Sequence, residues 1–265
     1  MKLISLSSGS SGNCLYVEHE NTKLLIDAGL SGNRIQQLMA DASIDPSTLS
    51  AILVTHEHED HIGGVGILSR RFQLPIYSNE VTMKAMRNRL GKLKEEHICI
   101  FETNQSFCIK ELSIHPFPTS HDASESVGFQ FSDGKSKLAI ATDLGYVSDE
   151  IRANLMGCEA VFLESNHDVD MLNNGSYPYY LKKRILSDHG HLSNETASRF
   201  CCELIESGTQ QLMFGHLSQQ NNTPLLALKT AIAITEQHQM KRGEDFVLNI
   251  APRETISTEI FTIKK

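Results

Sequence analysis

Hydrophobic positions along the chain fall into short runs separated by turn-forming residues, the rhythm of a β-rich protein with helices between strands. Lys2–Leu6, Cys14–Glu18 and Lys23–Asp27 are rich in Leu, Ile and Val or bounded by turn residues, and read as an opening antiparallel meander. Asn33–Ala42 reads as a helix, and Leu49–Thr55 as an apolar strand that runs directly into a histidine-rich cluster. A helix over Ile62–Phe72 is expected next, then a strand at Leu74–Ser78 and a helix over Glu80–Lys94. Hairpin strands follow at Cys99–Phe101, Ser106–Ile109, Leu112–Phe117, Gly128–Ser132 and Lys137–Thr142. From Ser148 the pattern changes to a helix, a strand at Ala160–Glu164, helices over Tyr177–Leu186 and Asn194–Ser207, a strand at Gln211–Phe214 and a helix over Pro224–Glu236. Strands near Phe246–Ala251 and Ser257–Thr262 close the chain.

Elements in this order predict an α/β (α+β) fold of two packed sheets flanked by helices. Neither linker composition nor a fixed-period repeat interrupts the chain, so one domain over residues 1–265 is expected, although two similar β-rich halves fit the same pattern. No stretch approaches the roughly 20 apolar residues of a membrane span, and the N-terminus turns polar after six residues, so neither an anchor nor a signal peptide is expected. Cysteines at 14, 99, 108, 158, 201 and 202 show no Cys-x-x-Cys spacing and read as the reduced thiols of a cytoplasmic protein. A formal charge of −8 argues against indiscriminate binding of polyanions. One basic run, Lys84, Arg87, Arg89, Lys92 and Lys94, has no acid within it. It reads either as a solvated helix face or, joined by Lys182, Lys183 and Arg184, as a track for a nucleic-acid strand.

The chemistry concentrates in His56-Glu57-His58-Glu59-Asp60-His61, where four metal-competent side chains lie within six residues at a strand's end. Side chains two apart share a face of an extended segment, so His56 and His58 point together while Asp60 and His61 turn toward a second position. One ion cannot readily use all four, and two adjacent divalent ions are expected, each completed from elsewhere in the chain. Glu57 and Glu59 read as solvated spacers or helix N-terminal charges.

Thr55-His56-Glu57-His58-Glu59-Asp60-His61-Ile62-Gly63-Gly64 resembles the signature of the metallo-β-lactamase superfamily, and further motifs follow in that family's order. Leu24–Gly29, Ser120-His121-Asp122, Ala141–Gly145 and Phe214–Ser218 resemble its first, third, fourth and fifth motifs. The resemblance implies a four-layer αββα sandwich. It also implies one metal on His56, His58 and His121, a second on Asp60, His61 and His216, Asp143 bridging them, and Asp27 supporting a ligand from behind. Zinc, manganese or iron would suit such donors.

His191 resembles a histidine of the transfer-RNA 3′-processing branch, and Val161–Glu164 the glutamate-bearing strand before it. The opening loop Leu6–Cys14 reads either as a polar hairpin turn or as a phosphate cradle, with Ser8, Ser10 and Asn13 as candidate substrate contacts. That loop, together with Tyr16–Glu18, Ile26–Ser31 and His216–Pro224, resembles the WalJ/YycJ branch of bacterial metallohydrolases, which adds Asn222 to the candidate contacts. Members of that branch are regarded as cytoplasmic nucleases with 5′-to-3′ exonuclease activity on DNA, so a similar activity is implied, on DNA rather than RNA. The implied mechanism has a metal-held hydroxide, oriented by Asp60, attacking phosphorus while His191 assists the leaving group.

An alternative keeps the fold and changes the bond, giving a thioesterase, lactonase or β-lactamase-like hydrolase, since the same nucleophile attacks carbonyls. A redox diiron or regulatory module would call for a flavin partner or a defective ligand set, and all seven ligand positions are filled. Long nuclease relatives insert a second domain between the fourth and fifth motifs. Residues 144 to 215 are too few for that, and a compact enzyme, monomer or homodimer, is implied.

Overall fold

The computed structural model describes residues 1–257 together with the backbone of Phe261 and Thr262. The first sheet holds, in spatial order, β14 (Phe261–Thr262), β1 (Lys2–Ser7), β2 (Cys14–His19), β3 (Thr22–Ile26), β4 (Ala51–Leu53), β5 (Ile76–Ser78) and β6 (Ile98–Ile100). The second holds β13 (Val247–Ile250), β12 (Gln211–Gly215), β11 (Ala160–Glu164), β10 (Lys137–Ala141), β9 (Val127–Ser132), β8 (Leu112–Pro118) and β7 (Phe107–Ile109). Each sheet is antiparallel over its earlier strands and turns parallel after its third or fourth, at β3–β4 and at β10–β11. Of the expected last strand, residues 258–260 lie outside the described residues, while Thr262 and Phe261 pair with Lys2 and Leu3.

Alternation along the strands explains the layers, because successive side chains leave opposite faces. Leu24 and Ile26 of β3 face Phe129, Phe131, Ile140 and Phe162 of the second sheet in a shared core. Leu25 between them faces outward onto α1 (Gly32–Asp41) and α3 (Val65–Phe72). On the far side, Ala139, Ala141, Val161, Leu163 and Phe214 meet α5 (Asp149–Leu155), α8 (Asn194–Glu206) and α9 (Pro224–Gln237). The result is the αββα sandwich expected from the sequence. Among the described residues no helix is long and apolar enough to cross a membrane.

Three elements differ from expectation. The helix expected over Ile62–Phe72 is two: α2 (Glu59–Ile62) and α3, parted at Gly63–Gly64. A Cβ on Gly64 would lie 2.4 Å from the Leu30 carbonyl oxygen, so backbone packs against backbone at the break. The helix expected over Glu80–Lys94 ends at Met86, as α4 (Glu80–Met86). Gly91 adopts φ +74°, and Arg70 Nη1 donates to the carbonyls of Leu90 (2.6 Å) and Lys92 (3.3 Å), tying that segment down as a loop. A short helix not anticipated, α6 (Val169–Asn174), is capped by Asp168, whose carboxylate accepts from Met171 N at 2.8 Å.

Candidate metal centre

The ends of the parallel strands converge on one edge of the sandwich, where open α/β sheets place their clefts. Asp27 follows β3, the histidine cluster follows β4, Asp143 follows β10, Glu164 ends β11 and His216 follows β12. His121 comes from the β8–β9 loop and His191 from the loop between α7 (Tyr179–Ile185) and α8. Asp27, Asp143 and His216 all hold a left-handed backbone, at φ +60°, +60° and +54°. Such a conformation costs a non-glycine residue about 1–3 kcal/mol, and here it recurs where three strands turn their next side chain into the same cleft.

The structure brings the seven candidate ligands together. Donor atoms of His56, His58 and His121 lie within 4.8 Å of one another, as do those of Asp60, His61 and His216. Asp143 stands between the two sets: Oδ1 is 3.5 Å from His121 Nε2 and 3.2 Å from His216 Nδ1, and Oδ2 is 3.4 Å from His61 Nε2. The carboxyl of Asp60 lies 3.6 Å from His61 Nε2 and 3.9 Å from His216 Nε2.

Hydrogen bonds behind the cluster decide which ring nitrogens are free. Asp27 Oδ2 accepts from His61 Nδ1 (2.8 Å) and from the Thr55 hydroxyl (2.8 Å), and its Oδ1 accepts from Thr55 N (2.8 Å). With its own proton given to Asp27, Thr55 Oγ1 can accept from His56 Nδ1 at 3.0 Å. A single buried carboxylate thereby directs the Nε2 atoms of both His56 and His61 into the cleft. Close backbone packing holds three loops together: Asn13 N donates to Asp60 O, Ala28 N to His61 O and Gly29 N to Asn13 O, each at 2.8 Å.

A cation fits this donor set. His56 Nε2, Asp143 Oδ2 and His216 Nδ1 are buried without a hydrogen-bond partner, a costly state that a coordinated ion would relieve. Titration points the same way. Burial, and after it the neighbouring imidazole of His61, drives His56 well below its ordinary pKa, leaving a neutral donor. Burial opposes protonation of His61 and His216 too, yet Asp143, with Asp27 beside His61, outweighs it and lifts them to about 10 and about 9. Burial would raise Asp143, but His216, His61 and His121 hold it well below the carboxylate range. Buried carboxylate charge here calls for positive charge, which protons on two histidines supply and a bound cation would supply in their place.

His191 sits at the rim, its side chain 19% exposed where His56, His61, His121 and His216 are buried, with its ring centroid 5.1 Å from His121 and 5.3 Å from His216. Its Nδ1 donates to Glu164 Oε1 at 3.0 Å, turning Nε2 outward. Glu164 is wholly buried and does more than the sequence suggested: Oε1 also accepts from Leu192 N, and Oε2 accepts from the backbone nitrogens of Asp143 and Leu144. The signal was a carboxylate closing an apolar strand, since a buried acid must be matched by donors. A cavity of about 130 Å³ beside His191 and His121 is also lined by Ser10, Asp122, Asn166, Tyr177, Arg184 and Ser218, of which Ser10 is a candidate substrate contact and Arg184 part of the candidate nucleic-acid track.

The four candidate substrate contacts part company. Ser10 is exposed and faces that cavity. Asn13 Oδ1 accepts from Gly9 N, while Nδ2 lies 3.1 Å from His61 Nε2 and 3.5 Å from Asp60 Oδ2, at the cluster itself. Ser8 and Asn222 are buried and hydrogen-bond to the loops around them. Ser8 Oγ accepts from His216 N at 2.7 Å, and Asn222 Nδ2 donates to the carbonyls of Ser165 and Asn166. Both hold loops whose backbone groups would otherwise be buried unpaired.

Three cations of the basic run have partners within the fold. Arg87 pairs with Glu95, Arg89 with Glu59 and with the Glu57 carbonyl, and Lys94 with Gln73 and Glu96. Glu57 accepts from Ser124 N at 2.8 Å, bracing the ligand loop against the loop that carries His121.

Residues 8–198 match the profile of the Metallo-beta-lactamase superfamily. The chain is 41% identical over 244 residues to exodeoxyribonuclease YycJ of Bacillus anthracis, an alignment spanning 92% of each protein. It is 42% identical over 243 residues to exodeoxyribonuclease WalJ of Streptococcus pneumoniae, spanning 91% of this chain and 90% of the relative. Among solved structures it is similar to the metallo-beta-lactamase fold protein YhfI of Bacillus subtilis, with a TM-score of 0.74 at 17% identity over 97% of this chain and 98% of that one.

Proposed function

The chain belongs to the metallo-β-lactamase superfamily, and from that premise we propose that it is a two-metal phosphodiesterase that removes nucleotides from the end of a DNA strand. The observation that carries this reading is the pairing of a seven-donor cluster with a rim histidine held on a buried glutamate. Relatives that are at least 41% identical across nine-tenths of the chain and named exodeoxyribonucleases support it. In this reading His56, His58 and His121 hold one divalent ion, Asp60, His61 and His216 the other, and Asp143 is shared between them. Zinc or manganese suits these borderline donors, with iron a third candidate. Bound there, the ions would supply a hydroxide near neutral pH and offset the charge on the non-bridging phosphate oxygens.

The chain's own residues do the rest. Asp60, whose carboxylate among the described residues accepts only the 3.5 Å contact from Asn13 Nδ2, offers an oxygen that accepts a proton from attacking water. His191, its Nδ1 proton held by Glu164, presents Nε2 where a departing oxygen needs a proton. Asp27, through Thr55 and His61, keeps the imidazoles in the tautomers required. The six cysteines are unpaired, which supports a reducing compartment and so the cytoplasm.

Metal-loaded protein should be offered end-labelled single- and double-stranded DNA and RNA, bis-p-nitrophenyl phosphate and a thioester panel, with elemental analysis alongside. Stepwise release of nucleotides from labelled DNA is expected, and Asp60→Ala or Asp143→Ala should abolish it. Turnover confined to the carbonyl substrates would overturn the reading in favour of an ester hydrolase.

A further inference from the structure

The segment Tyr177-Pro178-Tyr179-Tyr180-Leu181-Lys182-Lys183-Arg184-Ile185-Leu186-Ser187 carries three tyrosines and three cations with no acid among them, in a chain whose formal charge is −8. It forms α7 and its approach, directly over the cavity beside His191. Leu181, Arg184 and Ile185 line that cavity at the i, i+3, i+4 spacing of one helix face, and Tyr177, just before the helix, lines it with them. Arg184 Nε is engaged by Asp122, the neighbour of His121. Tyr180 stands one turn before Arg184 and three residues after Tyr177, on the flank of that face, and is 73% exposed. Tyr179, 77% exposed, points from the opposite side of the helix.

Exposed tyrosine rings beside a cleft offer faces on which a planar, apolar group can stack. About 130 Å³ is well below the roughly 300–1,000 Å³ of a pocket that swallows a whole small molecule, so the cavity takes a phosphate-sized group and the remainder of a substrate lies outside. A stripe of ring, ring and guanidinium leading out of such a cavity matches an unpaired nucleic-acid strand: phosphate to Arg184, bases to the tyrosine faces. We propose that Tyr177, Tyr180 and Arg184 of the α7 segment form a stacking platform that holds the unpaired end of a nucleic-acid strand against the metal cleft. This rests on the nuclease reading and adds to it the state of the strand, frayed or single, and the surface that grips it.

The test compares holoenzyme and variants on an unpaired ten-nucleotide oligothymidylate and on a thymidine dinucleotide. Binding is measured separately by the anisotropy of a fluorescein-labelled phosphorothioate decamer. Stacking lost at one base is expected to weaken decamer binding and raise its KM about 5- to 100-fold for Tyr180→Ala. The dinucleotide, too short to reach the ring, should change less than about twofold. Tyr180→Phe should restore the decamer, Tyr180→Leu should not, and Tyr179→Ala should behave as the parent. Equal losses on both substrates, rescue by Leu, an equal effect at Tyr179, or no effect at Tyr180 would each overturn the platform. So would Tyr180-dependent retention on phosphatidylserine vesicles with decamer binding unchanged, which would assign the stripe to a lipid surface. A parent that cleaves DNA while Tyr180→Ala binds normally sinks the platform alone. A parent that binds the decamer through Tyr180 but cleaves no nucleic acid sinks the nuclease reading alone.

Discussion

Gly29→Ala adds one methyl group and should disable the metal centre. An ideal Cβ at Gly29 would stand 1.7 Å from the Asp60 carbonyl oxygen, 2.2 Å from its carbon and 2.8 Å from Asn13 N. Real Cβ atoms essentially never come within 3.0 Å of such neighbours, so the loop bearing Asp60 must retreat by at least about 1.3 Å. The retreat strains the 2.8 Å hydrogen bond from Asn13 N to Asp60 O. It also carries the Asp60 carboxyl away from His61 and His216, which it approaches at 3.6 and 3.9 Å. A misplacement of about 1 Å in a catalytic constellation costs on the order of 10²-fold in rate, and overpacking costs about 1–3 kcal/mol of stability. Turnover of bis-p-nitrophenyl phosphate, elemental analysis and a thermal melt on the same preparation separate the two effects. Gly157→Ala is the control: φ there is +75° but nothing lies within 4 Å, so it should lose about 1–2 kcal/mol and no activity. Parental turnover and metal content in Gly29→Ala would refute the close packing of these loops.

Asp27→Ala leaves Thr55 and His61 Nδ1 without their buried acceptor and should weaken metal affinity about 10- to 100-fold in a competitive chelator titration; unchanged affinity would remove Asp27 from the network. His191→Ala should slow turnover about 10²–10⁴-fold with metal content intact, and metal loss would make it a ligand instead. Glu164→Gln sets an amide N–H₂ against backbone donors and should cost about 1–3 kcal/mol in chemical denaturation while lowering kcat; a variant as stable and active as the parent would rule out the role assigned to Glu164. In the chelated protein His61 and His216 bind protons more tightly than their ordinary value of 6.5, so their stabilisation is full below about pH 6.5 and lost as pH rises through about 9 and 10. The melting temperature of the chelated protein should therefore fall between pH 7 and 10, and a flat profile would contradict the assignment.

The sandwich and the first cluster of candidate ligands were legible because both are written locally. Alternation along β3 sends Leu24 and Ile26 one way and Leu25 the other whatever surrounds them, and His56, His58, Asp60 and His61 are brought close by chain connectivity alone. Asp27, His121, Asp143 and His216 were placed by their motifs, and the turns that aim three of them, at φ near +60°, could not have been read from residue type. What the tertiary structure alone decided involves groups far apart in sequence. Arg70 pins the loop after α4 by taking the carbonyls of Leu90 and Lys92; Ser8, a candidate substrate contact, is the acceptor for His216 N, 208 residues on; and Arg89 and Arg87 of the basic run are paired with Glu59 and Glu95. A buried polar group takes whichever partner the packed chain delivers, and an exposed Tyr180 acquires meaning only from the cavity that its helix lines. Local periodicity specifies faces and elements, but hydrogen-bond satisfaction is settled across the whole fold, and it is there that residues with the same sequence signal divide between structure and function.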